Sequence, residues 1–429
     1  MLVQRDLLVS QLGPRKVDNP LLRKGREQFV ADDTRVLVQN EIHAEDTQTN
    51  DLGYEKAGPR RHIFFEPAQT TAAIVTCGGL SPGLNNVIRS AYHELAHNYG
   101  VREVLGIREG YRGLNPKAGL EPFVISHMDV HDIHNQGGTM LGSSRGPQPP
   151  EIVVDYLESR GIDILFCVGG DGTQRGAHAI FEEVEKRGLA VAIVGIPKTI
   201  DNDIPHVWMS FGFATALERA AEVIGSAHVE ALAAPNGVSI VKLMGRDAGF
   251  IAAGAAIVSQ DVNFVLIPEV DFALDGEDGL LAALERRLEA RGHAVVVVAE
   301  GAGQHLLDAE SERRDASGNL LHRDIGPFLR ERIGAHFDTR GIEINVKYMD
   351  PSYLIRSIPA NAWDRILSDR MARNAVHAGM AGKTDVMIGS RHSSLVQVPI
   401  PTVVKEKARM ELDSEFWTAV LDTTGQPRW

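Results

Sequence analysis

From residue 71 onward the chain repeats one pattern: a short apolar run, then a turn, then a stretch with helical spacing. The first such runs are residues 72–77, 103–107, 164–168 and 191–196. Continuous apolar runs of this length are typical of parallel strands that are covered on both faces by helices. A second series of runs is residues 239–244, 264–267 and 294–299, with an amphipathic stretch at 280–290. The pattern predicts an α/β protein with two Rossmann-like three-layer domains, mostly parallel sheets, and the active site in the cleft between them.

The apolar runs also suggest where the domains begin and end. Residues 1–70 are polar and mixed in charge, and we treat them as an N-terminal extension. We expect residues 71–212 plus about 355–408 to form the first α/β domain. We expect residues 213–354 plus about 409–429 to form the second.

Composition excludes several classes of protein. The chain has 429 residues and a net charge of −13, so it should repel nucleic acid and anionic membranes. No apolar run approaches the roughly 20 residues that span a bilayer. The two cysteines, Cys77 and Cys167, end apolar runs without metal-ligand spacing, which predicts buried core residues and no disulfide. Because the first residues also lack the apolar stretch of a signal peptide, we expect a reducing, cytoplasmic setting.

A glycine-rich turn follows the first apolar run, at residues 78–86. A turn of this kind between a strand and a helix directs backbone N–H groups toward an anion. The alternative is purely structural, because turn glycines are also needed wherever φ is positive.

The third apolar run ends in a second glycine-rich turn that contains Gly170, Asp171, Gly172 and Thr173. Its glycines would let the backbone approach phosphate oxygens, and Thr173 could donate a hydroxyl. Asp171 would place a carboxylate where a phosphate-bridging Mg²⁺ binds. An aspartate that only caps the helix is the alternative.

The fourth run leads into a loop with Lys198, Thr199, Asp201 and Asp203. Two carboxylates two residues apart, beside a lysine, could supply a general base and an electrostatic partner for it. Helix-capping aspartates are the alternative. A functional site is favoured because all these turns follow carboxyl ends of strands, where ligands bind in such folds.

Arginines and one lysine are the candidate phosphate-binding cations. Arg145 lies in a glycine- and serine-rich loop and could stabilise a transferring phosphoryl group. Arg246, Lys347 and Arg356 follow in the second half, with Tyr353 close by in sequence. If these three cations lie close together, they would bind a dianionic sugar phosphate. Each of them taken alone is typical of a cation on a protein surface.

These strings, in this order, resemble the phosphofructokinase family over roughly residues 60–400. Gly-Gly-Asp-Gly-Thr at 169–173 also resembles NAD kinases and diacylglycerol kinases, but Pro-Lys-Thr-Ile-Asp-Asn-Asp at 197–203 followed by Met-Gly-Arg at 244–246 is specific. Segments 19–21, 59–67 and 350–353 look like the long plant- and trypanosome-type ATP-dependent members.

The resemblance implies Mg²⁺-dependent phosphoryl transfer from ATP to the 1-hydroxyl of fructose 6-phosphate in glycolysis, by an allosteric homodimer or homotetramer. It assigns nucleotide phosphates and catalysis to the first domain and the sugar phosphate to the second. Asp201 is implied to be the base. The other implied catalytic residues are Thr199, Asp203, Arg145 and Lys198. The implied donor-binding residues are Gly79, Arg145, Gly146, Gly170, Asp171, Gly172 and Thr173, with Asp171 also as the Mg²⁺ ligand. The implied sugar-phosphate residues are Thr199, Ile200, Asp201, Met244, Gly245, Arg246, Glu300, Lys347, Tyr353 and Arg356.

The identity of the phosphoryl donor depends on two positions. Relatives that use pyrophosphate usually have aspartate where this chain has Gly172, so the glycine favours ATP. Lys198 is shared with the pyrophosphate users, and the plant- and trypanosome-type ATP enzymes combine the glycine with the lysine. ATP is therefore the expected donor, a pyrophosphate-dependent enzyme is the alternative, and a catalytically silent regulatory subunit is a third hypothesis.

Overall fold

The computed structural model describes residues 3–39, 52–307 and 322–429. Parts of the predicted divisions 1–70 and 213–354 lie outside these ranges. The described residues fall into two compact units, and each has its own sheet. The first unit is Met1–Thr199, Ile204–Gly212 and Ile358–Lys407, and the second is Ile200–Asp203, Phe213–Ser357 and Ala408–Trp429. None of the helices in the described ranges is long and apolar enough to cross a membrane.

The first unit contains a nine-stranded sheet. Its strands, in chain order, are β3 (Arg35–Leu37), β4 (Gly53–Lys56), β6 (Thr71–Thr76), β7 (Glu103–Ile107), β8 (Phe123–Val124), β9 (Ile164–Gly169), β10 (Ala192–Pro197), β16 (Val386–Arg391) and β17 (Ser394–Pro399). The order across the sheet is β3-β4-β17-β16-β10-β9-β6-β7-β8. The five central strands β16, β10, β9, β6 and β7 are parallel, and the strands at both edges are antiparallel. Two small antiparallel pairs accompany it: β1 (Ser10–Gln11) with β15 (Lys383–Thr384), and β2 (Val17–Asp18) with β5 (His62–Ile63).

The first unit has six α-helices within the described residues. They are α1 (Leu84–Tyr92), α2 (His127–Val130), α3 (Pro150–Ser159), α4 (Asp171–Lys186), α10 (Ala362–Met380) and α11 (Ile400–Val403). Short 3-10 helices are Gln4–Leu7, Pro20–Leu22, Pro67–Gln69, Gly110–Leu114, Pro116–Ala118 and Ile133–Asn135, and α1 continues into a π-helix, His93–Tyr99. Of the four central strands that the sequence predicted, β6, β9 and β10 are fully buried, and β7 is buried except for its first residue.

The second unit contains a four-stranded sheet that is parallel throughout. Its strands are β11 (Gly237–Leu243), β12 (Phe264–Leu266), β13 (His293–Ala299) and β14 (Asn345–Met349), in the order β12-β13-β11-β14. Its helices are α5 (Phe213–Leu232), α6 (Phe250–Ser259), α7 (Leu280–Arg291), α8 (Ile325–Thr339), α9 (Ser352–Arg356) and α12 (Glu415–Thr424), with a 3-10 helix at Gln304–Leu306. The predicted α/β class is confirmed, with a large and mostly parallel central sheet.

The polar segment before residue 71, which sequence set apart as an extension, contributes strands to the first unit. β4 pairs with β17, and β3 pairs with β4 at the edge of the large sheet. Arg60 is almost fully buried and its Nη2 lies 2.7 Å from the carboxylate of Glu55, while Lys383 Nζ lies 2.9 Å from the same carboxylate. The three residues of this buried triad are charged, so the pattern of apolar residues along the sequence did not predict that they are buried together.

Removing the charge of Glu55 should destabilise the first unit strongly. In Glu55→Gln the Arg60 and Lys383 cations stay buried without their shared carboxylate, which costs about 3–5 kcal/mol when one partner of a buried pair is lost. Denaturant unfolding of the variant measures this change. Glu66→Gln, at an exposed position of the same segment, is the matched control and should change little. A loss below about 1 kcal/mol in Glu55→Gln would mean that the triad contributes no more than a surface pair.

Candidate active site

The turns predicted to bind phosphate are brought together at one edge of the large sheet. β6, β9 and β10 are adjacent and parallel, with Thr76 opposite Val168 and Gly169 opposite Pro197. The three strands therefore end nearly level, and the turns that follow them share one edge. This is the edge at which parallel α/β sheets bind ligands.

Lys198 connects two of these turns. Its N–H donates to the Gly169 carbonyl at 3.0 Å, and a Cβ on Gly170 would lie only 3.2 Å from the Lys198 carbonyl oxygen. A Cβ on Gly78 would lie 3.2 Å from the Lys198 ammonium nitrogen. The side chain is buried, with 5% exposure, so its positive charge is held directly over the first glycine-rich turn.

The loop that carries Arg145 is fixed to the same turn. The N–H of Gly78 donates to the Ser144 carbonyl at 3.0 Å, and the Ser143 hydroxyl donates to the Gly78 carbonyl at 2.6 Å. Arg145 itself is exposed, between these two anchored serines and Gly146. The sequence pointed to Arg145 but not to Ser143 or Ser144, because the role of the two serines is visible only in contacts with a turn more than 60 residues away.

Helix α4 begins at Asp171, directly after Gly170. The first turn of a helix has N–H groups without intrahelical carbonyl partners, and its positive end attracts anions. Gly172 is exposed in this turn, and a Cβ placed on it would meet no atom of the described residues within 4 Å, apart from its chain neighbours and the adjacent helix backbone. No side chain of the described residues therefore fills the space beside Gly172.

Thr173 points toward the protein rather than toward the open space at Gly172. A Cβ on Gly169 would lie 2.1 Å from the Thr173 hydroxyl oxygen, so only glycine fits there. Tyr111, which sequence analysis did not identify, donates its hydroxyl to the Thr173 carbonyl at 2.7 Å. Tyr111 and Gly169 thus hold the first turn of α4 in place.

Both cysteines lie beneath these turns and are buried, as predicted. Burial raises the pKa of the Cys77 thiol to about 12, and burial also raises that of Cys167. Both thiols are therefore uncharged at neutral pH, which fits their role as small core residues.

Asp171 forms an ion pair with Arg175, one helical turn further along α4. The aspartate side chain is 16% exposed and the arginine 53% exposed. A carboxylate oxygen at this position is a ligand type that Mg²⁺ prefers, and one or two carboxylates with substrate phosphates are its usual set. The residues present therefore fit a Mg²⁺ ion.

The segment with Asp201 and Asp203 is fixed by its backbone. Between the two aspartates Asn202 has φ 57, a left-handed conformation in which asparagine is favoured over most residues. The Ala408 N–H donates to the Asp203 carbonyl at 2.9 Å, and the Ser210 hydroxyl donates to the Thr199 carbonyl. Asp201 and Asp203 are half-buried, and Ile200 is buried.

In the second unit, the loops after β11 and β13 meet. Leu243 is opposite Ala299 at the ends of these strands, and the N–H of Glu300 donates to the Leu243 carbonyl at 2.9 Å. The Gly301 N–H donates to the Gly245 carbonyl at 3.1 Å, and a Cβ on Gly301 would lie 1.8 Å from the Arg246 carbonyl oxygen. The structure therefore brings Met244, Gly245, Arg246 and Glu300 together.

His322 belongs to the same group, although no sequence motif pointed to it. Partial burial and the Arg246 guanidinium hold the pKa of His322 below its usual value, and Asp247 and Glu300 oppose that shift. His322 lies near Arg246 although the two residues are far apart in the sequence.

Lys347 is not brought to this group. It lies opposite Ser239 in β11, four residues before Leu243, which corresponds to about 13 Å along a strand. Its ammonium forms an ion pair with Glu230 in α5. Tyr353 and Arg356 are both in α9, where the guanidinium carbon lies 5.0 Å from the centre of the tyrosine ring and the tyrosine is 74% exposed.

A lysine that sequence analysis missed links α9 to the end of β11. Lys242 Nζ lies 2.9 Å from Asp350, just before α9, and 3.0 Å from Asp324, the N-cap of α8. Although partial burial opposes it, these two carboxylates raise the pKa of Lys242 above its usual value. Lys242 is therefore a positioning residue, two residues before Met244.

The fold and the turns define the class of the protein: an α/β protein with glycine-rich turns at the carboxyl ends of parallel strands, the edge at which such folds bind ligands. The family model described as Phosphofructokinase matches residues 71–379, and the chain belongs to the phosphofructokinase family. This confirms the resemblance that the sequence motifs indicated.

Curated relatives support the same family over nearly the whole chain. The ATP-dependent 6-phosphofructokinase of Borreliella burgdorferi is 46% identical, over 98% of this chain and 97% of that protein. The ATP-dependent 6-phosphofructokinase 7 of Arabidopsis thaliana is 44% identical, over 96% of this chain and 84% of that protein. The crystal structure of a pyrophosphate-dependent phosphofructokinase from Marinobacter aquaeolei has a TM-score of 0.69 at 20% identity, covering 83% of this chain and 91% of that one, which supports the fold alone.

Proposed function

We propose that the chain is an ATP-dependent 6-phosphofructokinase, a phosphotransferase of glycolysis. The observation that carries the choice of donor is the open space at Gly172, beside the N-terminus of α4. A donor with a nucleoside attached to its phosphates needs such space, and a helix N-terminus provides the backbone N–H groups that bind phosphate. The relatives with this name match almost the whole chain.

The proposed reaction joins the 1-hydroxyl oxygen of fructose 6-phosphate to the γ-phosphorus of ATP. The bond between that phosphorus and the β–γ bridging oxygen breaks, and ADP leaves with the bond electrons. Asp201 accepts the hydroxyl proton, a role that fits a half-buried carboxylate in a fixed backbone turn. Thr199 and Asp203 position the acceptor and its charge.

Cations of the first unit stabilise the phosphates in this proposal. The buried Lys198 ammonium over Gly78 neutralises donor charge, and Arg145 stabilises the transferring group from its anchored loop. Gly79, Gly146, Gly170, Gly172 and the first turn of α4 line the donor phosphates. Asp171 holds Mg²⁺, which when bound supplies further neutralisation of the phosphate charge.

The acceptor is bound by residues of the second unit. Met244, Gly245, Arg246 and Glu300 form a compact group, and Arg246 is its cation for the 6-phosphate. A role in this site stays a prediction for Lys347, Tyr353 and Arg356. Lys347 lies in the middle of β14 and forms an ion pair with Glu230. The homodimer or homotetramer, its allosteric control and its cytoplasmic location also stay predictions.

A pyrophosphate-dependent enzyme is the second candidate, because the relatives that use pyrophosphate also have a lysine at the position of Lys198. A buried ammonium next to a glycine turn binds the phosphates of either donor, so it does not distinguish them.

An assay with two donors tests the proposal. We expect fructose 1,6-bisphosphate from fructose 6-phosphate and Mg²⁺ with ATP, none with pyrophosphate, and none with ATP after chelation of Mg²⁺ by EDTA. Activity with pyrophosphate alone would overturn the choice of donor, and no activity with either donor would favour a regulatory subunit.

A further inference from the structure

Three histidines that take no part in the proposed reaction lie close together in the first unit. His93 and His97 are in the π-helix that continues α1, and His127 is the first residue of α2. One ring nitrogen of each lies within 4.8 Å of the others. The centres of the rings are 5.1 Å apart for His93 and His97, 5.7 Å for His93 and His127, and 5.8 Å for His97 and His127.

These distances are close to those of a metal site with three imidazole ligands. Zinc binds imidazole nitrogen at about 2.0–2.1 Å in tetrahedral geometry, which places the ligand nitrogens about 3.3 Å apart. Side-chain rotations that move each nitrogen by about 1 Å would therefore close the site, because one ring nitrogen of each histidine already lies within 4.8 Å of the others. Two histidines four residues apart on one helix face, with a third from another element, are a common ligand pattern.

The charged side chains around the cluster affect whether a cation can bind there. Arg89 lies near His93. Arg373 also lies near His93, but it is paired with Glu94 at 2.7 Å and with Asp369 at 2.8 Å. Most of its charge is therefore balanced by carboxylates.

The backbone of the cluster is held on both sides. Lys24 donates its ammonium to the His97 carbonyl. The start of α2 is fixed by a capping box, in which Ser126 and Asp129 exchange hydrogen bonds. His127 follows Ser126 directly, so its position is set before any metal binds.

We propose that His93, His97 and His127 bind one divalent transition metal ion of the zinc type, with water completing the coordination. Imidazole ligands suit zinc, and three protein ligands with a water are a known zinc arrangement. The ion would join the continuation of α1 to α2. It would therefore stabilise the first unit without contacting the residues proposed for phosphoryl transfer.

The test measures zinc binding and thermal unfolding of the purified, tag-free chain. We expect one zinc ion per chain by calorimetry and a rise in the unfolding midpoint when ZnCl₂ is added. His97→Gln and His127→Gln should each weaken zinc binding at least tenfold, a lower bound set by the 10–100-fold effects of residues that only orient ligands. Their fructose 6-phosphate turnover without zinc should equal that of the wild type.

His131→Gln is the matched control, because His131 is exposed and lies four residues after His127, outside the cluster. It should bind zinc like the wild type. Absence of zinc binding in the wild type, equal binding in the two cluster variants, or equal loss in the control would each overturn the proposal. Unfolding midpoints without metal identify any variant that fails to fold, and the second cluster variant then decides.

Discussion

Asp201→Asn is expected to lower turnover of fructose 6-phosphate with ATP by about 10²–10⁴-fold, the range typical of a removed general base. The amide has the size of the carboxylate but cannot accept the hydroxyl proton. Because the backbone of the segment is fixed by the positive φ of Asn202 and by hydrogen bonds to Thr199 and Asp203, the loop should keep its shape. The change should therefore appear in kcat, with a small effect on the KM for either substrate.

Steady-state kinetics and thermal unfolding of the same preparation measure this prediction. Asp422→Asn, an exposed position in α12, removes the same charge elsewhere and should leave turnover unchanged. Full activity of Asp201→Asn would contradict the assignment of the base. If Asp203→Asn abolished turnover while Asp201→Asn kept it, the base would be Asp203.

Gly172→Asp is expected to reduce turnover with ATP by roughly 10²–10³-fold. The new carboxylate would lie in the open space where we propose that a donor phosphate binds. Two unit charges 4 Å apart repel by about 4 kcal/mol at an effective dielectric constant of 20, which is about 10³-fold in rate or affinity. Screening by solvent at this exposed position brings the expected effect to the lower part of that range.

The same substitution should not harm folding. Gly172 is not among the positive-φ residues, and a Cβ there meets no atom within 4 Å. An aspartate in the first turn of a helix is also stabilised by the helix dipole. Loss of ATP activity with an unchanged or higher unfolding midpoint is therefore the expected combination.

Gly172→Ala separates charge from volume. It adds a methyl group without charge and should keep most of the ATP activity. Donor titrations with ATP and with pyrophosphate for both variants give the comparison. If Gly172→Asp kept full activity with ATP, the space at Gly172 would not hold donor phosphate and the basis for preferring ATP would be lost.

The sequence by itself determined seven of the strands, the glycine-rich turns after several of them and the family, but it did not reveal β14, β16 or β17. Apolar runs at 164–168 and 191–196 became β9 and β10 with shifts of one residue at their ends, and the amphipathic stretch at 280–290 became α7. This works because burial of a parallel strand on both faces, and of one helix face, leaves a local signature in residue order. The glycine turns were equally visible, since only glycine fits where Gly169 contacts Thr173.

The tertiary structure alone decided which distant residues meet. Glu55 joins Arg60 and Lys383 in a buried triad, Lys242 joins Asp324 and Asp350, and the three histidines converge from two helices. It also placed Lys347 beside Glu230, where sequence had grouped it with Arg246. The physical reason is that a polar contact between remote segments depends on strand order and register, and leaves no periodic signal along the chain.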